Sequence, residues 1–382
     1  MTSKRYAWLV VGLLWVVACL NYLDRQVIFS VFPLIRSEMR LDDFQLGLLS
    51  TVFLWVYGFA SPFGGYLADR VGRKKVLILS LAIWTTVTLL TGCVRNFQQL
   101  LIARALMGLS EACYLPAALA LITELHGKET RSLATGVHQS GLYGGMAFGG
   151  VIGGWMGERH GWQAPFIVLG FIGLVYALVL VKGIHADTGG KTAARPKGST
   201  FGASLLEVVR LPGYSGMLVA FTGFAIANWL VYTWLPLYIF ERFRTSLTSA
   251  GFSATFYLQV ASFAGILAGG WVADRWSRSS AKGRVLTQAL GIAFAAPFLF
   301  LVGLAGSVVV LVAALVAFGA GKGFYDANTM PVLAQVARPE IRATGYGIFN
   351  LAGCVVGGAM AAAAGALKPV IGLSGAIQFS AL

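Results

Sequence analysis

The feature that most constrains this chain is a succession of apolar segments, each long enough to cross a bilayer. A spanning helix needs about 20 mostly apolar residues. Such segments occur near 7–35, 44–68, 76–94, 97–124, 132–157 and 162–181, and again near 214–240, 248–273, 285–305, 307–336 and 340–367. The stretch between the two sets is polar and rich in Gly, Lys and Thr. The remainder, 369–382, is apolar, but at about 1.5 Å per residue it reaches only about 20 Å, so a twelfth span is expected to be incomplete. The pattern predicts an all-α membrane protein: a six-helix bundle over 1–181, a cytoplasmic linker over 182–213 and a second bundle over 214–382.

Composition supports this reading and removes others. Hydrophobic residues make up 57% of the 382 and charged residues only 12%, about half the charge density of a soluble domain. Met1 to Arg5 followed by an apolar run resembles a secretory signal. The run continues to about residue 35 with no small-residue cleavage site, which instead makes it the first span. Cys19, Cys93, Cys113 and Cys354 lie in apolar stretches without CxxC spacing and read as packing residues. No metal-ligand cluster, nucleophile elbow or phosphate loop is present in the sequence, which argues against an enzyme; no metal or cofactor is expected.

The chain repeats itself. Gly65-Tyr66-Leu67-Ala68-Asp69-Arg70-Val71-Gly72-Arg73 follows the second span, and Gly270-Trp271-Val272-Ala273-Asp274-Arg275-Trp276-Ser277-Arg278 follows the eighth. Arg131-Ser132-Leu133-Ala134-Thr135-Gly136 opens the fifth span, and Arg342-Ala343-Thr344-Gly345-Tyr346-Gly347 opens the eleventh. Two echoes in the same order at nearly the same offset point to internal duplication.

Orientation follows from Lys and Arg. Of the 29, 19 fall on the side of the N-terminus and seven on the other (Arg36, Arg40, Arg95, Arg159, Arg242, Arg244 and Lys368), which places the N-terminus in the cytoplasm of a bacterial-type inner membrane. The net charge of +14 therefore belongs to topology, and no nucleic-acid partner is expected. The remaining three cations, Arg25, Arg104 and Lys322, lie inside spans with Asp24, Glu111 and Asp326.

A charge at the bilayer centre costs about 2.5–3.5 kcal/mol on insertion scales, so buried charges imply pairing, a cavity, or both. Arg104 and Glu111, two helical turns apart, share one face of the fourth span. Counted from the outer end they lie near 10 and 21 Å, and Asp24 and Arg25 near 16 Å, at about 1.5 Å per residue. Arginine stays protonated and presents a planar fork matched to a carboxylate, so Arg25 and Arg104 are expected to hold an anionic substrate. Carboxylates can change charge, so Asp24 and Glu111 are expected to carry protons. Lys322, one turn from Asp326, either binds substrate or only neutralises that acid; the sequence supports both equally. Together these groups predict a water-filled mid-membrane chamber faced by all four charged residues of the first and fourth spans. Each Asp of the repeated loops (Asp69 with Arg70 and Arg73, and Asp274 with Arg275) is expected to dock on a neighbouring helix end and latch a cytoplasmic gate.

Gly141, Gly145, Gly149, Gly153 and Gly157 recur every fourth residue of the fifth span, and Gly353, Gly357, Ala361 and Gly365 repeat the spacing in the eleventh. Close packing explains them; a surface along which the two halves rock is the alternative. His138 is expected to line the pore or to be hydrogen bonded within the bundle.

The loop from Gly65 to Lys75 resembles the signature loop of the major facilitator superfamily, and the six-plus-six repeat covers nearly the whole chain. Asn21-Tyr22-Leu23-Asp24-Arg25, together with Arg104 and Glu111-Ala112, resembles the superfamily's anion:cation symporters, which import sugar acids with protons. That resemblance implies Asp24 and Glu111 as proton sites, Arg25 and Arg104 at the substrate carboxylate, Tyr22, Tyr57 and Asn350 as polar substrate contacts, and a monomer by family default. Ser140-Gly141-Leu142 departs from the glutamine those symporters often place after the glycine, and Lys322 and Asp326 have no counterpart in them. Glu111-Ala112-Cys113-Tyr114 is also similar to Spinster-like lipid transporters, which makes a lysolipid or amphiphile the alternative cargo, although the His and Asp of their eleventh-helix signature are absent here.

Overall fold

The computed structural model describes residues 4–127, 130–185 and 201–382, and within these it leaves out the side chains at 65, 69, 132, 201–204, 339, 340 and 343. The described residues are helical and contain no strand. The N-terminal bundle comprises α1 (Lys4–Ser30), α2 (Phe32–Met39), α3 (Asp43–Val71), α4 (Arg73–Thr91), α5 (Phe97–Glu111), α6 (Tyr114–Leu125), α7 (Arg131–His160) and α8 (Gln163–Gly183). A short α9 (Phe201–Val209) precedes the C-terminal bundle of α10 (Tyr214–Phe243), α11 (Leu247–Ser277), α12 (Gly283–Leu304), α13 (Val308–Val336) and α14 (Pro339–Ser380). Among the described residues, ten helices or helix pairs are long and apolar enough to cross a membrane. The glycine-rich α7 is not among them, because glycine dilutes its hydropathy, yet it packs along α1 and α11 in the centre of the molecule.

Two predicted spans are broken by proline. Pro33 interrupts the first: it has no N–H, and its ring crowds the carbonyl four residues earlier, so α1 ends at Ser30 and α2 restarts at Phe32. Pro116 does the same to the fourth, separating α5 from α6 directly after Glu111. The α14 helix turns at Gly372, whose φ of 66° suits glycine, so residues 373–380 form a short apolar segment beyond the eleventh span.

Polar side chains cap several starts on one face. Asp42 and Gln45 form a reciprocal capping box at α3 (2.7 and 3.0 Å), Asn96 caps α5, Ser246 caps α11 and Ser307 caps α13.

Tight helix contact explains the glycine stripes. A Cβ at Gly141, Gly145 or Gly153 would lie 2.2–2.8 Å from the α1 carbonyls of Trp15, Cys19 and Val27. The stripe on α7 is therefore packing within one bundle, and the rocking-surface alternative is corrected. The bundles meet on its neighbours: a Cβ at Gly251 of α11 would lie 2.1 Å from Gly150 O, and one at Gly154 would lie 2.3 Å from Leu247 O. On α14, Gly353 and Gly357 seat α10 side chains of the same bundle, whereas Gly365 abuts Asp43 O of the other.

Candidate functional site: a cavity between two bundles

A cavity of about 1800 Å³ lies between the bundles. Its deep end is walled by Tyr22, Arg25, Tyr57, Tyr232 and Lys322, and its lining runs out past Arg70, Leu133, Leu205 and Thr344. It therefore opens on the face that carries the 65–75 loop and the first turns of α7 and α14.

The opposite face is sealed by bonds from one bundle to the other. Ser50 meets Thr233 at 3.0 Å, and Thr51 Oγ1 donates to Gly358 O at 2.7 Å. Beyond them, four charges close a ring. Arg36 contacts Asp43 (3.2 Å) and Glu241 (2.8 Å), and Lys368 contacts the same two acids (3.0 and 2.9 Å). Arg36 and Asp43 belong to the N-terminal bundle, and Glu241 and Lys368 to the C-terminal one. The sequence reading used Arg36 and Lys368 only to set orientation. The partners lie up to 325 residues apart in the chain, and no local pattern pairs them.

Of the four charged residues expected to face the chamber, only Arg25 lines it. Its Nε donates to Glu111 Oε2 at 2.5 Å, and Tyr22 and Tyr57 cover its guanidinium at 4.7 and 4.4 Å. Glu111 is fully buried behind it. Asp24 is also buried, with Oδ2 accepting from Thr88 at 3.3 Å. The Trp84 indole N–H faces Asp24 and the Asn21 amide faces Glu111, each short of an aligned hydrogen bond in this geometry.

Arg104 requires a correction. It is 1% exposed, donates to Leu49 O (3.2 Å) and Met107 Sδ (3.2 Å), and lies 4.5 Å over Phe53, whose ring also contacts Arg25. It stands on α5 behind the cavity wall, facing α3, and does not line the cavity. Spacing along a helix fixes which residues share a face but not which neighbour that face meets.

Asn350, Tyr22 and Tyr57 line the cavity. Lys322 and Asp326 do too, joined by an ion pair on the C-terminal wall. His138 is fully buried, bonded to Tyr114 Oη at 2.8 Å, and does not reach the lumen; its neighbours Val137 and Gln139 do. Tyr114 also donates to Leu14 O, so in this arrangement His138 Nε2–H is the donor of the contact with Tyr114.

At the open mouth, Arg73 binds Glu124 and Ala120 O within its own bundle, and Arg70 lies 5.2 Å over Tyr66. Asp274 reaches Arg284 at the start of α12 (2.5 Å), also within its own bundle, and Arg275 is exposed. The Asp69 side chain lies outside the described residues. None of the described contacts latches one bundle to the other across this mouth.

Residues 14–362 match the family described as the Major Facilitator Superfamily. The chain belongs to that family. Within it, the chain is 26% identical over 380 residues to the probable galactarate/D-glucarate transporter GarP of Escherichia coli (strain K12), covering 91% of this chain and 85% of that one. It is 26% identical over 368 residues to protein spinster homolog 1 of Xenopus laevis, covering 90% and 69%. The fold matches the crystal structure of a bacterial homolog to the human lysosomal transporter Spinster in an inward-facing, unoccupied conformation, with a TM-score of 0.83 and 22% identity over 97% of this chain and 84% of that one. These Major Facilitator Superfamily relatives are transporters, and this chain is a multi-pass membrane transporter, not an enzyme.

Proposed function

We propose that this Major Facilitator Superfamily protein couples protons to the symport of a small organic anion, a sugar acid such as a hexonate or hexuronate, by alternating access. The supporting observation is the position of Arg25, on the cavity wall with its counter-charge Glu111 directly behind it. An entering carboxylate competes with Glu111 for the guanidinium. Removing one partner of a buried pair leaves an uncompensated charge costing about 3–5 kcal/mol, and protonation of Glu111 removes that charge. Anion binding and proton uptake are linked through this exchange, with Asp24 as a second acid one layer behind. Tyr22, Tyr57 and Asn350 supply hydroxyl and amide contacts for a polyol chain.

In this reading the open mouth is cytoplasmic, the N-terminus is on the same side, and the protein works as a monomer of two bundles in a bacterial inner membrane. Residues 1–181 and 214–382 move against each other, and the ring of Arg36, Asp43, Glu241 and Lys368 must open for the outward state. GarP, by its name a transporter of sugar diacids, supports the substrate class. The test is substrate-dependent proton uptake into liposomes containing the purified protein; hexonates and hexuronates that neither move protons nor raise the melting temperature would defeat it.

A second reading is a Spinster-like carrier of lysolipids or other amphiphiles. Phe29, Phe221, Phe224, Trp229 and Phe263 give the cavity an apolar flank larger than a six-carbon acid needs. Displacement of a bound hexonate by a lysolipid, with transport of the lipid, would favour this reading.

A further inference from the structure

We propose that the Lys322–Asp326 pair is a second acid-exchange site for the far carboxylate of a dicarboxylic substrate, and that its use adds one proton per substrate; this rests on the sugar-acid reading above. The two bundles each bring a buried cation paired with a carboxylate to the cavity, and of the two acids Glu111 is fully buried whereas Asp326 is partly exposed. Arg25 with Glu111 belongs to the N-terminal bundle, and Lys322 with Asp326 to the C-terminal one. Tyr22, which lies against Arg25, is within electrostatic reach of Tyr143 and Tyr232, which neighbour Lys322. Both cations and these tyrosines line the same cavity, so an acid with a carboxylate at each end has a cation on each bundle's wall to meet.

The two pairs respond to substrate in the same way. Lys322 is 3% exposed, and its ammonium already contacts Asp326. A second substrate carboxylate can take that ammonium only if Asp326 gives it up, and two carboxylates on one buried ammonium leave an excess charge. The balanced exchange is one proton from solution onto Asp326 as one substrate carboxylate arrives. The other titratable groups around the pair are Tyr143 of α7 (5.8 Å from Nζ to its ring centroid), Tyr232 of α10, Tyr325 of α13 and Tyr346 of α14. Phenols keep their protons through the neutral range, which leaves Asp326 as the exchanging group. Around Glu111 stand Asp24, Arg25 and Arg104, with Tyr22 and Tyr57 against Arg25. They act on a monoanion and a dianion alike, so the difference between the two anions isolates Asp326.

The experiment measures binding of a hexonate and of the matching aldarate to the wild-type protein across the neutral pH range. The slope of log Kd against pH gives protons taken up per anion. The aldarate is expected to take up one proton more than the hexonate. In Lys322→Gln the aldarate-to-hexonate affinity ratio should fall about tenfold, the effect of one charge-assisted contact. In Asp326→Asn the slope for the aldarate should drop to that of the hexonate. Equal slopes for both anions in the wild type would overturn the proposal without any variant, as would an unchanged ratio in Lys322→Gln. Binding of neither anion would remove the sugar-acid reading and this site with it, whereas hexonate binding with equal slopes would overturn the second site alone.

Discussion

Nε of Arg25 on α1 donates a 2.5 Å bond to Oε2 of Glu111 on α5, and both side chains are almost wholly withdrawn from solvent. The helix break at Pro116 places that carboxylate at the last turn of α5, and the cavity exposes only the arginine side of the pair. Substrate entering the lumen therefore meets the guanidinium first and the acid only through it.

Glu111→Gln should separate coupling from carriage. Glutamine keeps a hydrogen-bonding oxygen beside Arg25 but cannot exchange a proton. The variant is expected to retain substrate counterflow and to accumulate no more substrate with a pH step than without one. Unimpaired pH-driven accumulation would exclude Glu111 as the coupling acid.

Arg104→Gln tests a positioning role. The sequence alone predicts that this change abolishes transport by removing a substrate contact. Its location against Leu49 O and Phe53 predicts a loss of stability, about 1.5–3 kcal/mol for a hydrogen-bonded charge, read as a lower melting temperature. Substrate affinity of the folded fraction should stay within about threefold, a change of less than 1 kcal/mol. A hundredfold loss of affinity with an unchanged melting temperature would return Arg104 to the substrate site.

Lys368→Met should loosen the sealed face. Lys368 joins Asp43 and Glu241 across the bundles, and its loss leaves Arg36 alone to balance two acids. A shift of about 1–2 kcal/mol corresponds to a factor of roughly 5–30 in the ratio of the two conformers. Spin labels at positions 40 and 244 should report a larger population at long separation. An unchanged distance distribution would make the ring incidental to alternation.

Two glycines separate bundle movement from bundle packing. Gly251→Ala places a methyl 2.1 Å from Gly150 O of the other bundle and should shift the same spin-label distribution as Lys368→Met. Gly145→Ala places one 2.2 Å from Cys19 O within a single bundle. It should lower thermal stability by about 1–3 kcal/mol, as overpacking does, without changing the conformer ratio. Identical effects of the two would contradict this division.

The spans, the repeat and the six intramembrane charges were legible because each is written locally. Apolar length, a signature loop and a charge in an apolar run need no knowledge of what lies opposite. Arg25 facing the lumen, with Tyr22, Tyr57 and Asn350, follows the sequence reading. Arg104 does not line the cavity, because rotation of a helix about its axis is set by its neighbours, and of the two roles read for His138 the structure shows the hydrogen bond within the bundle. Of the ring of Arg36, Asp43, Glu241 and Lys368, only the two cations were read, as outer-face charge, since its members come from four separate helices.

The sequence by itself determined that this chain is a bundle of membrane-spanning helices with charged groups inside the spans. Backbone bonds inside a helix close over four residues, and about 20 apolar residues suffice to place it in lipid. Only the tertiary structure decided which cation meets which acid, which of them faces the lumen and which face of the molecule is sealed. Those outcomes depend on separations of a few ångströms between residues more than 80 and up to 325 positions apart, and the Coulomb and desolvation energies that govern them are steep functions of those separations.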